Sequence, residues 1–398
     1  VPSRRAQPAR AAAAHVSRRA VVVTLDACGV GALPDAEDYG DAGANTLAHL
    51  ADAERGLELP TLEALGLGSI IELAGVRRAA DPVLHGRLHP LGSGKDSTTG
   101  HWELMGLSVA SPPPAYPKGF PPEVVDELER ATGRGVLCNA AFNGVEAIER
   151  FGERHLESGD LIVYTSQDSV LQIAAHVDVV APEELYAACA SARSIMQGPR
   201  AVGRVIARPF QGPAGGFTRT EGRRDFALAP AGPSYLTELR DAGVPVHTVG
   251  KVAELFAHVG VDHDHSGPTN ALAIEETTAL LRDLDTGMVF VNLIETDQVY
   301  GHRKDVPGFH AALRAIDTAV AVWLELLAPD DLLVLTADHG CDPTTPGTDH
   351  TREYAPLLAS FEGHGSRRHD GPLADVGASA LRWLTGRHAA LAGTAFVP

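Results

Sequence analysis

At 398 residues, with 44% hydrophobic and 21% charged residues, the chain has the composition of a soluble globular enzyme and is too long for one small core. The formal charge of −18 excludes the clustered basic surface that binding to a nucleic-acid backbone needs, and it suits a protein that holds divalent cations with carboxylates. No apolar run reaches the length of about 18 residues that a membrane-spanning helix requires, so no membrane partner is expected.

Residues 1–18 are rich in Arg and Ala and contain no acidic residue. They resemble a transit peptide only superficially and are expected to form a disordered extension. The first strand is expected from Ala20 to Leu25, a β-branched run ending on Asp26. Helices over Thr46–Glu54 and Thr61–Leu67 follow, then a strand over His85–Leu91 that leads into a turn at Lys95. Six prolines in the twelve residues Ser111–Pro122 remove backbone donors and break regular structure.

Beyond this break the strand and helix patterns alternate again. Helices are expected over Pro122–Thr132, Val145–Leu156 and Pro182–Met196, with strands over Gly135–Asn139, Leu161–Tyr164 and Val202–Ala207. A second Gly- and Pro-rich stretch covers Pro209–Pro233. Two breaker zones around about a hundred residues point to an inserted domain. The pattern then resumes with helices over Ser234–Ala242, Thr269–Leu284, Gly308–Leu327 and Leu373–Leu384, and strands over Val244–Val249, Met288–Ile294 and Leu332–Leu335. Lys251 opens a further helix. Alternation of this kind predicts an α/β fold with a largely parallel sheet.

Three of the apolar runs end in acidic chemistry: Val21–Leu25 in Asp26, Met288–Ile294 in Glu295-Thr-Asp297, and Leu332–Leu335 in Asp338-His339. Ligands of open parallel sheets bind beyond the carboxyl ends of the strands, so these carboxylates are expected to converge. A lone acidic residue after a strand is usually a helix cap; three, with His302, His339 and His350 nearby, fit a metal centre better. Mixed imidazole and carboxylate donors suit manganese, zinc or iron(II). Asp26, Asp297, His302, Asp338, His339 and His350 make three ligands for each of two ions, which together clamp the entering and leaving oxygens of phosphoryl transfer. The hydroxyl run Ser97-Thr98-Thr99, inside Gly94-Lys95-Asp96-Ser97-Thr98-Thr99-Gly100-His101-Trp102-Glu103, would supply the nucleophile, and Lys95 a point charge for phosphate. A polar surface turn with a helix cap is the bland alternative for that decapeptide.

Gly94–Glu103, Tyr164-Thr-Ser-Gln-Asp-Ser169, Val202–Phe210, Phe217-Thr-Arg-Thr220, Thr336-Ala-Asp-His-Gly340 and Pro346-Gly-Thr-Asp-His-Thr-Arg-Glu353 resemble the phosphopentomutase family of the alkaline phosphatase superfamily, over about Arg19 to Phe396. The resemblance implies an alkaline-phosphatase-like core over 19–112 and 230–398 and an α/β cap over 113–229. It implies an enzyme of nucleoside and pentose phosphate catabolism, which interconverts α-D-ribose 1-phosphate and ribose 5-phosphate, and the deoxyribose pair. Two manganese ions would bind, one at Asp26, Asp338 and His339, the other at Asp297, His302 and His350. Ser97 would carry the phosphate, where the family usually has threonine, and a sugar 1,6-bisphosphate would prime it. The resemblance further implies that Ser166, Asp168, Arg204, Arg208 and Lys251 face the sugar phosphate.

Other features are read as structural. Asp262-His-Asp-His265 is expected to be a solvated loop, Cys28 and Cys341 buried small residues, and His364, His369 and His388 surface histidines without partners. Widely spaced Cys28, Cys138, Cys189 and Cys341 suggest neither a disulfide framework nor a thiolate zinc site, so a reducing cytoplasm is expected. The rival activities are a cofactor-independent phosphoglycerate mutase, a plain phosphomonoesterase and a non-catalytic sugar-phosphate-binding regulator.

Overall fold

A computed structural model describes residues 18–109, 113–166 and 169–398. Most of the N-terminal extension and Asp168 therefore lie outside the described residues. Strands β1 (Arg19–Leu25) and β2 (Leu84–His89) begin the first sheet. Then β3 (Val136–Ala141), β4 (Leu161–Thr165), β5 (Val170–His176), β6 (Arg204–Gln211), β7 (Thr218–Arg219) and β8 (Arg224–Ala227) build a second one. The chain returns to the first sheet as β9 (Val246–Val249), β10 (His263–His265), β11 (Gly287–Leu293), β12 (Leu332–Thr336), β13 (Ala355–Ser360) and β14 (Gly371–Pro372). The order of the first sheet is β10-β9-β11-β1-β12-β13-β2-β14, parallel except where β13 meets β12 and β2. The expected α/β fold with a largely parallel sheet is what forms.

At the centre, β11, β1 and β12 are buried along their whole length, which is why they read as unbroken apolar runs rather than as alternation. Their register decides where the functional residues go. Leu25 pairs with Leu293, and Thr24 pairs with Thr336. All three strands point the same way and end level, so the residues that follow them emerge at one rim. The helix Asp375–Thr385 packs against these three strands, and Val306–Leu326 packs against helices Pro60–Leu65 and Asn270–Asp283. No helix among the described residues is long and apolar enough to cross a membrane.

The second sheet, of order β3-β4-β5-β6-β7 with β8 also on β6, has one face covered by helices Pro122–Thr132 and Pro182–Ile195. Helix Gly144–Ser158 covers the other face over β3–β5 and reaches β6 at Phe210, whose ring lies 5.6 Å from that of His155. Arg204 and Arg208, two turns of the pleat apart on β6, share this face with Phe210 and are only partly buried.

The structure corrects several expectations. β5 and β13 were not anticipated. β5 is a short apolar run whose periodicity does not distinguish strand from buried helix. β13 contains Pro356, which argues against an interior strand, but Pro356 lies just past the last residue paired with β12. Pro209, expected in a breaker stretch, lies within β6, opposite the gap between the residues paired with β8 and those paired with β7. His263–His265 form an edge strand, and the His247 ring stacks 4.4 Å from that of His263. The segment is solvated as expected, but it is not a loop. His369, expected to be unpartnered, binds Asp375 through Nε2 at 2.8 Å.

Close packing sets one further condition. Helix Ser97–Leu104 lies so near the Asp338 backbone that a Cβ on Gly100 would stand 2.5 Å from the Asp338 carbonyl oxygen. Gly100→Ala is expected to lower stability by about 1–3 kcal/mol through overpacking, read from the midpoint of urea unfolding; an unchanged midpoint would contradict this packing.

Candidate active site

Residues that follow the three strand ends form two groups. Ligand atoms of Asp26, Asp338 and His339 all lie within 4.8 Å of one another, and so do those of Asp297, His302 and His350. The groups adjoin, since the His339 and His350 rings are 4.1 Å apart. All six residues named from the sequence are thus brought together, in the two expected triples.

Local backbone explains how. After Asp26 the chain takes a left-handed conformation at Ala27, with φ of 63°, unusual for a residue with a side chain. This turn lets the Ala27 amide donate to Asp338 Oδ1 at 3.2 Å. Asp297 lies in a π-helical turn over Thr296–Gly301 and His302 caps it, its amide donating to the Asp297 carbonyl. Residues five apart on an ordinary helix point about 140° away from each other; the wider π turn stacks them, with His302 Nε2 3.4 Å from Asp297 Oδ2. Gly301 permits the turn, because a Cβ there would lie 3.0 Å from Cys341 Sγ.

The imidazoles are oriented for coordination. His339 donates from Nδ1 to the Gly340 carbonyl at 3.0 Å, and His302 from Nδ1 to the Thr348 carbonyl at 2.6 Å. Each thereby turns Nε2 inward, the usual arrangement of a metal-binding histidine. His339 Nε2 is 3.5 Å from Asp26 Oδ1 and 3.4 Å from Asp338 Oδ2, and His350 Nε2 is 3.3 Å from Asp297 Oδ1. Asp26 Oδ1, Asp297 Oδ1, Asp338 Oδ2 and His350 Nε2 are buried yet have no well-aligned hydrogen bond. Lone pairs that face one another away from water call for a cation.

The electrostatics agree. Burial, then the carboxylates of Asp338 and Asp297, push the Asp26 carboxyl well above its ordinary range. Burial acts the same way on Asp297, but the imidazoles of His302 and His350 outweigh it and hold that carboxyl well below. In return the Asp297 carboxylate pushes His302 up to about 11. Carboxylates ending within 4.8 Å of each other repel by at least about 3 kcal/mol, taking an effective dielectric constant near 20. The donor set therefore fits two divalent cations.

Ser97 is the first residue of helix Ser97–Leu104, and its Oγ lies 3.2 Å from His339 Nε2. Thr99 Oγ1 is engaged by Asp96 in a capping box, which leaves it no part at the rim. The Lys95 ammonium is held by Asp41 at 3.0 Å and Asp349 at 3.4 Å. The folded loops bring these two carboxylates to it, which the local sequence could not reveal, so Lys95 is not carried forward as a substrate contact.

On the second sheet, Arg204 stands 3.7 Å from Asp225, and Arg208 donates to Gln172 at 3.2 Å. Ser166 follows β4 directly. Lys251, at the start of helix Val252–Leu255, is close enough to draw down the carboxyls of both Asp26 and Asp225, so it lies where the basic face approaches the rim. Cys28 and Cys341 are buried, as expected, and their thiols are pushed up chiefly by burial.

Sequence reasoning missed the residues behind the rim. Asn292 Nδ2 is 3.0 Å from Asp26 Oδ2 and 3.1 Å from His101 Nε2. A carboxylate only accepts, so the amide donates to both, which leaves the His101 proton on Nδ1, 2.8 Å from the Ser97 carbonyl. Asn292 was visible as the one polar residue within the run Met288–Ile294.

Comparison with known proteins agrees with this geometry. The family model described as Metalloenzyme superfamily matches residues 18–385, which places the chain in that class. The phosphopentomutase of Caldanaerobacter subterraneus subsp. tengcongensis is 50% identical over 343 residues, 86% of this chain and 87% of that one. That of Anaeromyxobacter sp. strain K is 46% identical over 373 residues, 93% and 96% of the two chains. A solved structure from Pyrococcus horikoshii, 14% identical, superposes with a TM-score of 0.51 over 95% of this chain and 100% of its own, a likeness of fold alone. The chain belongs to the phosphopentomutase family and is an isomerase.

Removing the amide that steadies Asp26 tests the site from behind. Asn292→Ala is expected to weaken activation by a divalent cation about 10- to 100-fold, measured as the half-saturating metal concentration; an unshifted titration curve would contradict the assignment.

Proposed function

We propose that the chain is a phosphopentomutase that interconverts α-D-ribose 1-phosphate and ribose 5-phosphate, and the 2-deoxyribose pair, through a phosphoserine at Ser97 and a sugar bisphosphate. The observation that carries this reading is the Ser97 hydroxyl, 3.2 Å from His339 Nε2 beside two clusters of metal-type donors. Its position as the first residue of a helix adds backbone amides and the positive end of a dipole, which favour a phosphate there.

Asp26, Asp338 and His339 would hold one manganese ion, and Asp297, His302 and His350 the other. Bound there, two divalent cations supply the positive charge that makes the serine oxygen a phosphate carrier and offsets charge on the moving phosphoryl group. The cycle begins from Ser97 charged by a sugar 1,6-bisphosphate primer. The P–O bond to Ser97 Oγ breaks as a new one forms to the free hydroxyl of the pentose monophosphate, whose proton ends on the departing Ser97 oxygen. The pentose bisphosphate turns over, and its other phosphate returns to Ser97 Oγ, leaving the isomeric monophosphate. Arg204 and Arg208 would hold the phosphate that is not reacting, aided by Ser166, Asp168 and Lys251; guanidinium groups suit that task by their forked donors.

In this reading residues 113–229 form a cap whose basic face closes over the core. Its closure keeps water from the phosphoserine, which separates a mutase from a phosphatase on the same donor set. The four cysteines are free, which fits a reducing, cytoplasmic setting.

A coupled assay of ribose 1-phosphate conversion, with and without manganese and a hexose 1,6-bisphosphate, tests the proposal. Ribose 5-phosphate formation that depends on both additions is expected. Release of inorganic phosphate without isomerisation would instead identify a phosphomonoesterase.

A further inference from the structure

The loop that precedes Ser97 has an unusual construction. Gly92 and Gly94 make it intrinsically loose, yet neither glycine is replaceable: a Cβ at 92 would stand 2.3 Å from the Val109 carbonyl oxygen, and one at 94 would stand 2.2 Å from Thr99 Oγ1. Its order is imposed by side chains from elsewhere. The Arg352 guanidinium, 6% exposed, donates through Nη1 to the Gly94 carbonyl at 2.7 Å and through Nη2 to that of Gly92 at 2.8 Å. Tyr39 Oη takes the intervening Ser93 carbonyl at 2.8 Å, and the Arg352 guanidinium lies 5.0 Å over the Tyr39 ring. On the other side of the loop, the buried Glu103 carboxylate accepts from the amides of Leu91 and Gly92.

Arg352 is fixed in turn. Its remaining donors go to Asp35, at 2.9 Å from Nη2 and 3.2 Å from Nε. Its amide donates to Asp41 Oδ2 at 2.9 Å, the same oxygen that accepts from Lys95 at 3.0 Å. Arg352 stands two residues after His350, while the carbonyl of Gly94 stands three residues before Ser97. One side chain therefore joins the segment of the second donor cluster to the loop that aims the hydroxyl.

We infer that Arg352 is a positioning residue for the transfer step, which sets Ser97 in register with the His350 segment, and that Glu103 braces the same loop from behind. The inference rests on Ser97 as the phosphate carrier and deepens that reading. Neither residue touches substrate in this account. Lysine cannot replace Arg352, because a single ammonium does not span two carbonyls and a carboxylate at once. A small loss of alignment at a reacting atom is expensive: a misplacement of about 1 Å costs roughly 100-fold in rate.

The test uses the whole enzyme with bound manganese, as wild type, Arg352→Lys and Tyr39→Phe. The rate of Ser97 phosphorylation by a hexose 1,6-bisphosphate is followed by quenched single-turnover mass spectrometry, beside kcat, KM and the melting temperature. For Arg352→Lys, phosphorylation and kcat are expected to fall together by about 30- to 100-fold with KM changed less than about threefold. Tyr39→Phe, which keeps the ring and removes one carbonyl contact, is expected to slow phosphorylation about 3- to 10-fold at an unchanged melting temperature, and it decides the question if Arg352→Lys does not fold. Phosphorylation at the wild-type rate in the folded variants, or a loss of kcat that only tracks the unfolded fraction, would overturn the positioning role. A wild-type enzyme that carries its phosphate elsewhere than Ser97 would refute the nucleophile assignment instead, so the two failures are told apart.

Discussion

Asp26, Asp338 and Asp297 are buried carboxylates gathered at the rim of one sheet, and their mutual repulsion is the constraint around which the site is arranged. Within β1, β11 and β12 only the Asn292 amide, which donates to Asp26, eases it among the described residues. The parallel register creates it, by ending three apolar strands level with one another and placing an acidic residue after each. Histidines whose Nδ1 atoms are tied to backbone carbonyls turn their Nε2 atoms toward the same centre. Cations at that centre would relieve the repulsion, and the arrangement would hold them beside a serine hydroxyl.

Given that constraint, much of the surrounding structure acts to hold negative groups where they would not otherwise stay. The left-handed turn at Ala27, the π turn at Thr296–Gly301 and the missing side chain at Gly100 all depart from relaxed backbone or ordinary packing, and each brings a donor or the Ser97 helix closer to the rim. Behind them Asn292 and His101 link Asp26 to the start of the Ser97 helix through one chain of hydrogen bonds. The large apolar core underneath keeps that geometry from relaxing.

The sequence made the central strands and the six donors legible for a simple reason. Strands buried on both faces leave an uninterrupted apolar run, and a charged residue at the end of such a run has few structural excuses. Of the three hydroxyls in the motif, Ser97 is the one at the rim beside His339, while Thr99 is held by Asp96 in a capping box. β13 was hidden by Pro356, whose tolerance depends on where its partner strand stops. The ion pairs of Lys95 were not legible because Asp41 and Asp349 are remote in sequence and close only in space. The same holds for Arg352 and Asn292: their significance lies in contacts across some 260 residues, which spacing along the chain cannot encode.

The central claim is that two cations sit at these carboxylates with Ser97 beside them, and anomalous diffraction from crystals grown with manganese tests it most directly. The account predicts two peaks in each chain, one bounded by Asp26, Asp338 and His339, the other by Asp297, His302 and His350, with the oxygen of Ser97 next to them. A single peak, or peaks bound by other side chains with Ser97 turned away, would contradict it.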